Sequence, residues 1–136
     1  MKTKFERDIL ALDKLFNFLD TFIVKHQLDV SFAFAIKLVV EELFVNMVKY
    51  NRDNPNPLSV SLAKDEDKVI VELVDYNVDP FDITKMGEFD RTRSLEEREA
   101  GGMGIPLVKK MMDDIQYDYN PAERTSKIQL IKYLRD

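Results

Sequence analysis

The chain of 136 residues has no cysteine and a single histidine, His26. The first absence excludes a disulfide, a thiolate nucleophile and a cysteine-ligated metal. The second excludes a histidine cluster, so redox and zinc chemistry fall away. No basic run stands out either: 20 basic residues stand against 25 acidic ones, for a net charge of -5. That balance argues against a surface that tracks a phosphate backbone, and so against direct nucleic-acid binding. No apolar run approaches the roughly 20 residues of a membrane span, and the segment Met1-Lys2-Thr3-Lys4-Phe5-Glu6-Arg7-Asp8 lacks the apolar core of a signal peptide. A cytoplasmic protein with no membrane partner is expected. With 45% hydrophobic residues, the chain has room for one domain over 1–136 and too little length for two.

Ile9, Leu12, Phe16, Leu19 and Ile23 recur at spacings of three and four, the pattern of an amphipathic helix. A second helix starts near Asp29 or Ser31, either of which can cap it. It carries Phe32, Ile36, Val39, Leu43 and Tyr50 on one stripe until Asn51 to Pro57 break it. Leu58, Val60 and Leu62 alternate with serines, and a polar turn leads into Val69-Ile70-Val71-Glu72-Leu73-Val74, which predicts a β-hairpin. From Tyr76 to Ala100 the chain is polar and too long for an ordinary connection, so a lid is expected over about 83–100. Ile105, Leu107, Val108, Met111 and Met112 predict a short helix with Pro106 in its first turn. Ile115 to Tyr119 and Lys127 to Ile131 predict two more strands around a turn at Asn120-Pro121. Helices on one face of a mixed or antiparallel sheet would bury these stripes, giving an α+β, two-layer sandwich.

Three features carry chemistry. Glu42 and Asn46 interrupt an apolar stretch at a spacing of four, which puts both side chains on one helix face about 5–6 Å apart. A carboxylate there suits a general base, and an amide oxygen suits magnesium. Taken alone, the pair reads more readily as a solvated face with a local cap, since such pairs are common on helix surfaces. Asp75 follows a mostly apolar strand, where a buried carboxylate can accept from an adenine amino group; on its own it is an ordinary turn residue. Gly101-Gly102-Met103-Gly104 stands where the lid enters a helix. Glycines there let the backbone approach a phosphate and aim N–H groups at it, although short glycine clusters also serve as hinges.

The order of these features resembles the ATP-binding fold of gyrase, Hsp90, sensor histidine kinases and MutL: E-x-x-x-N on a helix, an aspartate at a strand end, a lid, then G-G-x-G before a helix. Within that group the chain is similar to the small anti-sigma-factor serine kinases. The resemblance rests on Glu42 to Asn46, on Asp79-Pro80-Phe81-Asp82 and above all on the run from Ser94 to Asp113. It implies ATP and Mg2+ as cofactors, with Glu42 as catalytic base and Asn46 as magnesium ligand. It further implies Asp75 as the acid that reads adenine, and Gly101, Gly102, Met103 and Gly104 as the phosphate cradle. Arg91, Arg93 and Arg98 on the lid either assist the phosphates or are simply solvated, the more usual state of a charged loop. The implied activity is transfer of the γ-phosphate to a serine of an antagonist protein; the partner held is an anti-sigma antagonist protein, a sigma factor or both, and a homodimer is compatible with the resemblance. A protein-binding module without catalysis, or an ATPase module working beside another signalling protein, stays open. The chain departs from the pattern at Asn77, where the family has glycine beside the base, and at Ser126, where it often has asparagine. The segment between Asp75 and Pro80 is also one residue longer. Phe5, Phe18 and Phe34 are assigned to the core or to a dimer interface.

Overall fold

Two helices open the chain, and each is stopped or started by an identifiable device. The first, α1 (Leu12–Lys25), follows a short 3-10 turn at Ile9–Ala11. Its end is a Schellman motif: Leu28 N–H donates to the Ile23 carbonyl at 3.1 Å and Gln27 N–H to the Val24 carbonyl at 3.2 Å, with Gln27 left-handed at φ 53°. His26 stands at that end with its ring 4.5 Å from the Phe22 ring. Desolvation, then the nearby Lys25, Lys64 and N-terminal ammonium, push its pKa down. The second helix, α2 (Val30–Tyr50), is capped by Asp29, whose Oδ1 accepts the Phe32 N–H at 2.7 Å. The computed structural model describes residues 1–50, 53–76, 78 and 104–134, with the backbone alone at 50 and 104–107.

Among the described residues five strands form one sheet in the order β1-β2-β3-β5-β4, every neighbouring pair antiparallel. They are β1 (Lys2–Phe5), β2 (Leu58–Asp65), β3 (Lys68–Asp75), β4 (Asp114–Asn120) and β5 (Thr125–Tyr133). Alternation decides which side of the sheet is covered. Val69, Val71 and Leu73 of β3 are buried beside Leu58, Val60 and Leu62 of β2 and Ile128 and Leu130 of β5. The intervening residues Ile70, Glu72, Val74, Gln129 and Ile131 are half-buried on the other face, where Gln129 donates to Glu72 at 2.8 Å. The third helix, α3 (Gly104–Met111), packs against α2 and buries Val108 in the core. The α+β two-layer sandwich expected from the sequence is the observed fold. Among the described residues no helix is long and apolar enough to cross a membrane.

The structure corrects two sequence expectations. The buried stripe of α1 is Leu15, Phe18, Leu19 and Phe22; Leu12, Phe16 and Ile23 are half-buried beside it, and Ile9 is exposed in the 3-10 turn. Strand β1, which the sequence reading did not contain, pairs Lys2 to Phe5 with Ser61 to Leu58. Its Phe5 stands edge-on to Phe18 (5.6 Å) and Phe44 (6.3 Å), so Phe5 and Phe18 belong to the core, whereas Phe34 is exposed.

Candidate functional site

The last turns of α2 lie over the end of β3, and this brings the polar residues of interest into an apolar setting. Leu43, Phe44, Met47 and Val48 of α2 are buried, and Asn46 among them is fully buried. The Asn46 amide Nδ2 donates to the Glu42 carbonyl at 2.8 Å, one turn back along its own helix. Glu42 is half-buried, and its Oε2 has no hydrogen-bond partner among the described residues. Desolvation first, and the neighbouring Glu41 carboxylate second, push its pKa up. A carboxyl so placed keeps its proton to higher pH than an exposed glutamate and, among the described residues, has an oxygen without a partner. Both properties suit a group that takes a proton from a reacting hydroxyl.

Asp75 closes β3 on the covered face and is buried at 2% exposure. Directly across from it in the register is the buried Ser126 of β5. The residue that addresses Asp75 is Arg7, from the link between β1 and the 3-10 turn. Its Nη2 pairs with Asp75 Oδ1, its Nη1 donates to Asp75 Oδ2 at 3.4 Å, and Nη1 also donates to the Met47 carbonyl at 3.0 Å. Arg7 therefore joins the end of β3 to the backbone of α2 one residue beyond Asn46. Sequence reasoning missed it, because no spacing connects two residues 68 apart in the chain. Around the same corner, Tyr76 OH and Ser59 Oγ lie 2.9 Å apart, and Asn54 Nδ2 donates to the Tyr76 carbonyl at 2.7 Å. Val78 N–H donates to the Arg124 carbonyl at 2.9 Å and Tyr119 OH to the Val78 carbonyl at 2.7 Å, tying the chain after β3 to the β4–β5 turn.

Of the residues named from the sequence, Glu42 and Asn46 thus share one turn of α2. Asp75 is linked to that helix through Arg7, and Gly104 begins α3. Asn77, Gly101, Gly102, Met103, the lid over 83–100 and its arginines 91, 93 and 98 lie outside the described residues.

A chain of the SiaB-SiaC complex from Pseudomonas aeruginosa superposes with a TM-score of 0.69 at 14% identity, covering 96% of this chain and 88% of that one, a likeness of fold. The serine-protein kinase RsbW of Staphylococcus aureus is 26% identical over 103 residues, 71% of this chain and 64% of that kinase. RsbW of Listeria monocytogenes is 26% identical over 107 residues, 74% of this chain and 66% of its own length. The sensor histidine kinase YxdK of Bacillus subtilis is 28% identical over 103 residues, 67% of this chain and 30% of that longer protein. The match to the histidine kinase-like ATPase domain runs over residues 5–132, nearly the whole chain, and the protein belongs to that family.

Proposed function

We propose that this protein is an ATP- and magnesium-dependent serine kinase of the anti-sigma regulatory type, which holds a partner protein and phosphorylates it. The observation that carries this reading is the pairing on α2 of a half-buried glutamate, its Oε2 without a partner among the described residues, with a fully buried asparagine one turn on. Asp75, buried and anchored to the same helix by Arg7, would read the base. Gly104 at the start of α3, with Gly101, Gly102 and Met103 before it, would cradle the phosphates at a helix N-terminus. The naming of two relatives as serine-protein kinases supports the activity, and the protein pair SiaB-SiaC supports a protein partner.

The donor set fits magnesium bound with a nucleotide. Among the described residues no group of three or more His, Asp or Glu gathers to hold an ion. An ion at Asn46 would therefore take its other ligands from phosphates and water, as magnesium commonly does. When bound, magnesium supplies neutralisation of the charge on the phosphate oxygens. Glu42 accepts the proton of the attacking serine hydroxyl as the serine oxygen bonds to the γ-phosphorus and ADP departs with the bridging oxygen.

Calorimetric titration of ATP with magnesium, with Asn46→Ala as control, tests the first step. Saturable binding that the variant loses is expected, and no binding at millimolar ATP would refute the reading. A phosphotransfer assay then separates the steps: Glu42→Ala should abolish transfer to an antagonist protein while leaving its capture intact. Hydrolysis without any protein acceptor would instead favour an ATPase module.

A further inference from the structure

The proposed site contains a cation that phosphoryl transfer does not use. The side chains of Arg7 and Asp75 are 2% and 3% exposed, so both charges have been taken out of water. A guanidinium in such a place needs a counter-charge, and Arg7 has one in Asp75 and a second anchor in the Met47 carbonyl. Its Nε has no hydrogen-bond partner among the described residues, so the fork is not there to satisfy donors alone. Arginine does not give up its proton in proteins, whereas a carboxyl buried without a cation tends to take one up and becomes a hydroxyl donor.

We infer that Arg7 is a specificity-determining positioning residue, which holds Asp75 as a pure hydrogen-bond acceptor so that the site takes a 6-amino purine and refuses a 6-oxo purine. The inference rests on the reading of Asp75 as the base-contacting acid. An ionised carboxylate offers lone pairs only: it accepts the exocyclic N–H of adenine and repels the carbonyl oxygen of hypoxanthine. A carboxyl carrying its own proton can donate to that oxygen, and the distinction is lost. Each carboxylate has about four lone-pair sites, so pairing with Arg7 and contact with a base are compatible. The bond to Met47 adds position to charge. It fixes the guanidinium, and through it Asp75, to the backbone beside Asn46, so that the base reader and the proposed magnesium ligand share one frame.

The test is competitive calorimetry of ATP and inosine triphosphate, each with magnesium, on the full chain and on Asp75→Asn, Arg7→Gln and Arg7→Lys. The native chain is expected to prefer ATP by at least about tenfold, and Arg7→Gln to bring the ratio below about threefold. Arg7→Lys, which keeps the charge, should stay near the native ratio. A purely structural role would weaken both nucleotides together and leave the ratio alone, so an unchanged ratio in folded Arg7→Gln overturns the inference. Where Arg7→Gln does not fold, Arg7→Lys decides: a ratio kept supports the inference, and a ratio fallen to that of Asp75→Asn overturns it. Failure of the underlying reading looks different, because the native preference would then survive Asp75→Asn.

Discussion

Removing one member of the Arg7–Asp75 pair should cost far more stability than removing both. Asp75→Leu leaves a guanidinium at 2% exposure facing an apolar side chain, and Arg7→Met leaves a carboxylate at 3%. Breaking a buried pair from one side costs about 3–5 kcal/mol, against roughly 0–1 kcal/mol for an exposed pair such as Lys37–Asp20. For a chain of this length each kcal/mol moves Tm by roughly 3–5 °C, so each single variant should melt about 9–25 °C lower. The double variant Arg7→Met/Asp75→Leu replaces the ions with apolar groups of similar bulk. It should lie within about 1.5 kcal/mol of the native chain, the lost bond to Met47 accounting for much of the difference. Urea denaturation followed by far-UV circular dichroism at low and at high salt measures all four corners of the cycle. A coupling energy of about 4.5 kcal/mol or more, insensitive to salt, is expected. Strict additivity, or single losses below about 1 kcal/mol, would mean that the pair is not buried and coupled as described.

Two further predictions concern charge and backbone. Burial and Glu41 hold the Glu42 carboxyl above the usual carboxylate range, so the folded chain keeps that proton to higher pH than the unfolded one. Its contribution to stability is fully present below the unfolded pKa and is lost as pH rises through the folded one. Phosphotransfer rises along the same limb, because the base must be ionised. Glu41→Gln should move the limb of the pH–rate profile to lower pH, and a limb that does not move would remove Glu42 from the base role. Gln27 holds φ 53° in the Schellman motif, a conformation glycine adopts without a Cβ penalty, and Gln27→Gly should stabilise by about 0.5–1 kcal/mol in thermal melts. Destabilisation would mean that the Gln27 side chain contributes packing that outweighs the backbone gain.

How much of this was legible in the sequence depends on the range of the forces involved. The β2–β3 hairpin could be read because Leu58, Val60 and Leu62 alternate and the opposing strand repeats the pattern. The α2 stripe could be read because its apolar face runs for several turns. On α1 two overlapping stripes, Leu12-Phe16-Leu19-Ile23 and Leu15-Phe18-Leu19-Phe22, both satisfy helical spacing, and only packing against the sheet selects the second. Strand β1 carries one buried side chain, Phe5, so its existence depends on the edge that β2 offers and not on its own pattern. Within the site, Glu42 and Asn46 were visible as polar interruptions of an apolar helix. Asp75 was visible only by its place after a strand. Arg7, in the run Phe5-Glu6-Arg7-Asp8, looked like any surface charge, because what distinguishes it is a partner 68 residues away. Ser126, noted only as a departure from a pattern, proves to face Asp75 across the sheet.

The strand order has a consequence for biosynthesis. Strand β3, which ends in Asp75, lies between β2 and β5, and β5 is the last strand of the sheet to leave the ribosome. Until Thr125 to Tyr133 arrive, the nascent chain presents one side of β3 as an unpaired edge, with Val69, Val71 and Leu73 along it. An edge of that kind is the sort that captures another strand. A chain stalled before β5 would carry Glu42, Asn46 and Asp75 intact and yet lack the wall opposite Asp75. Translation must therefore pass the last strand before the corner around Asp75 can close, and partial products should partition to aggregation or proteolysis instead of to a partly competent domain.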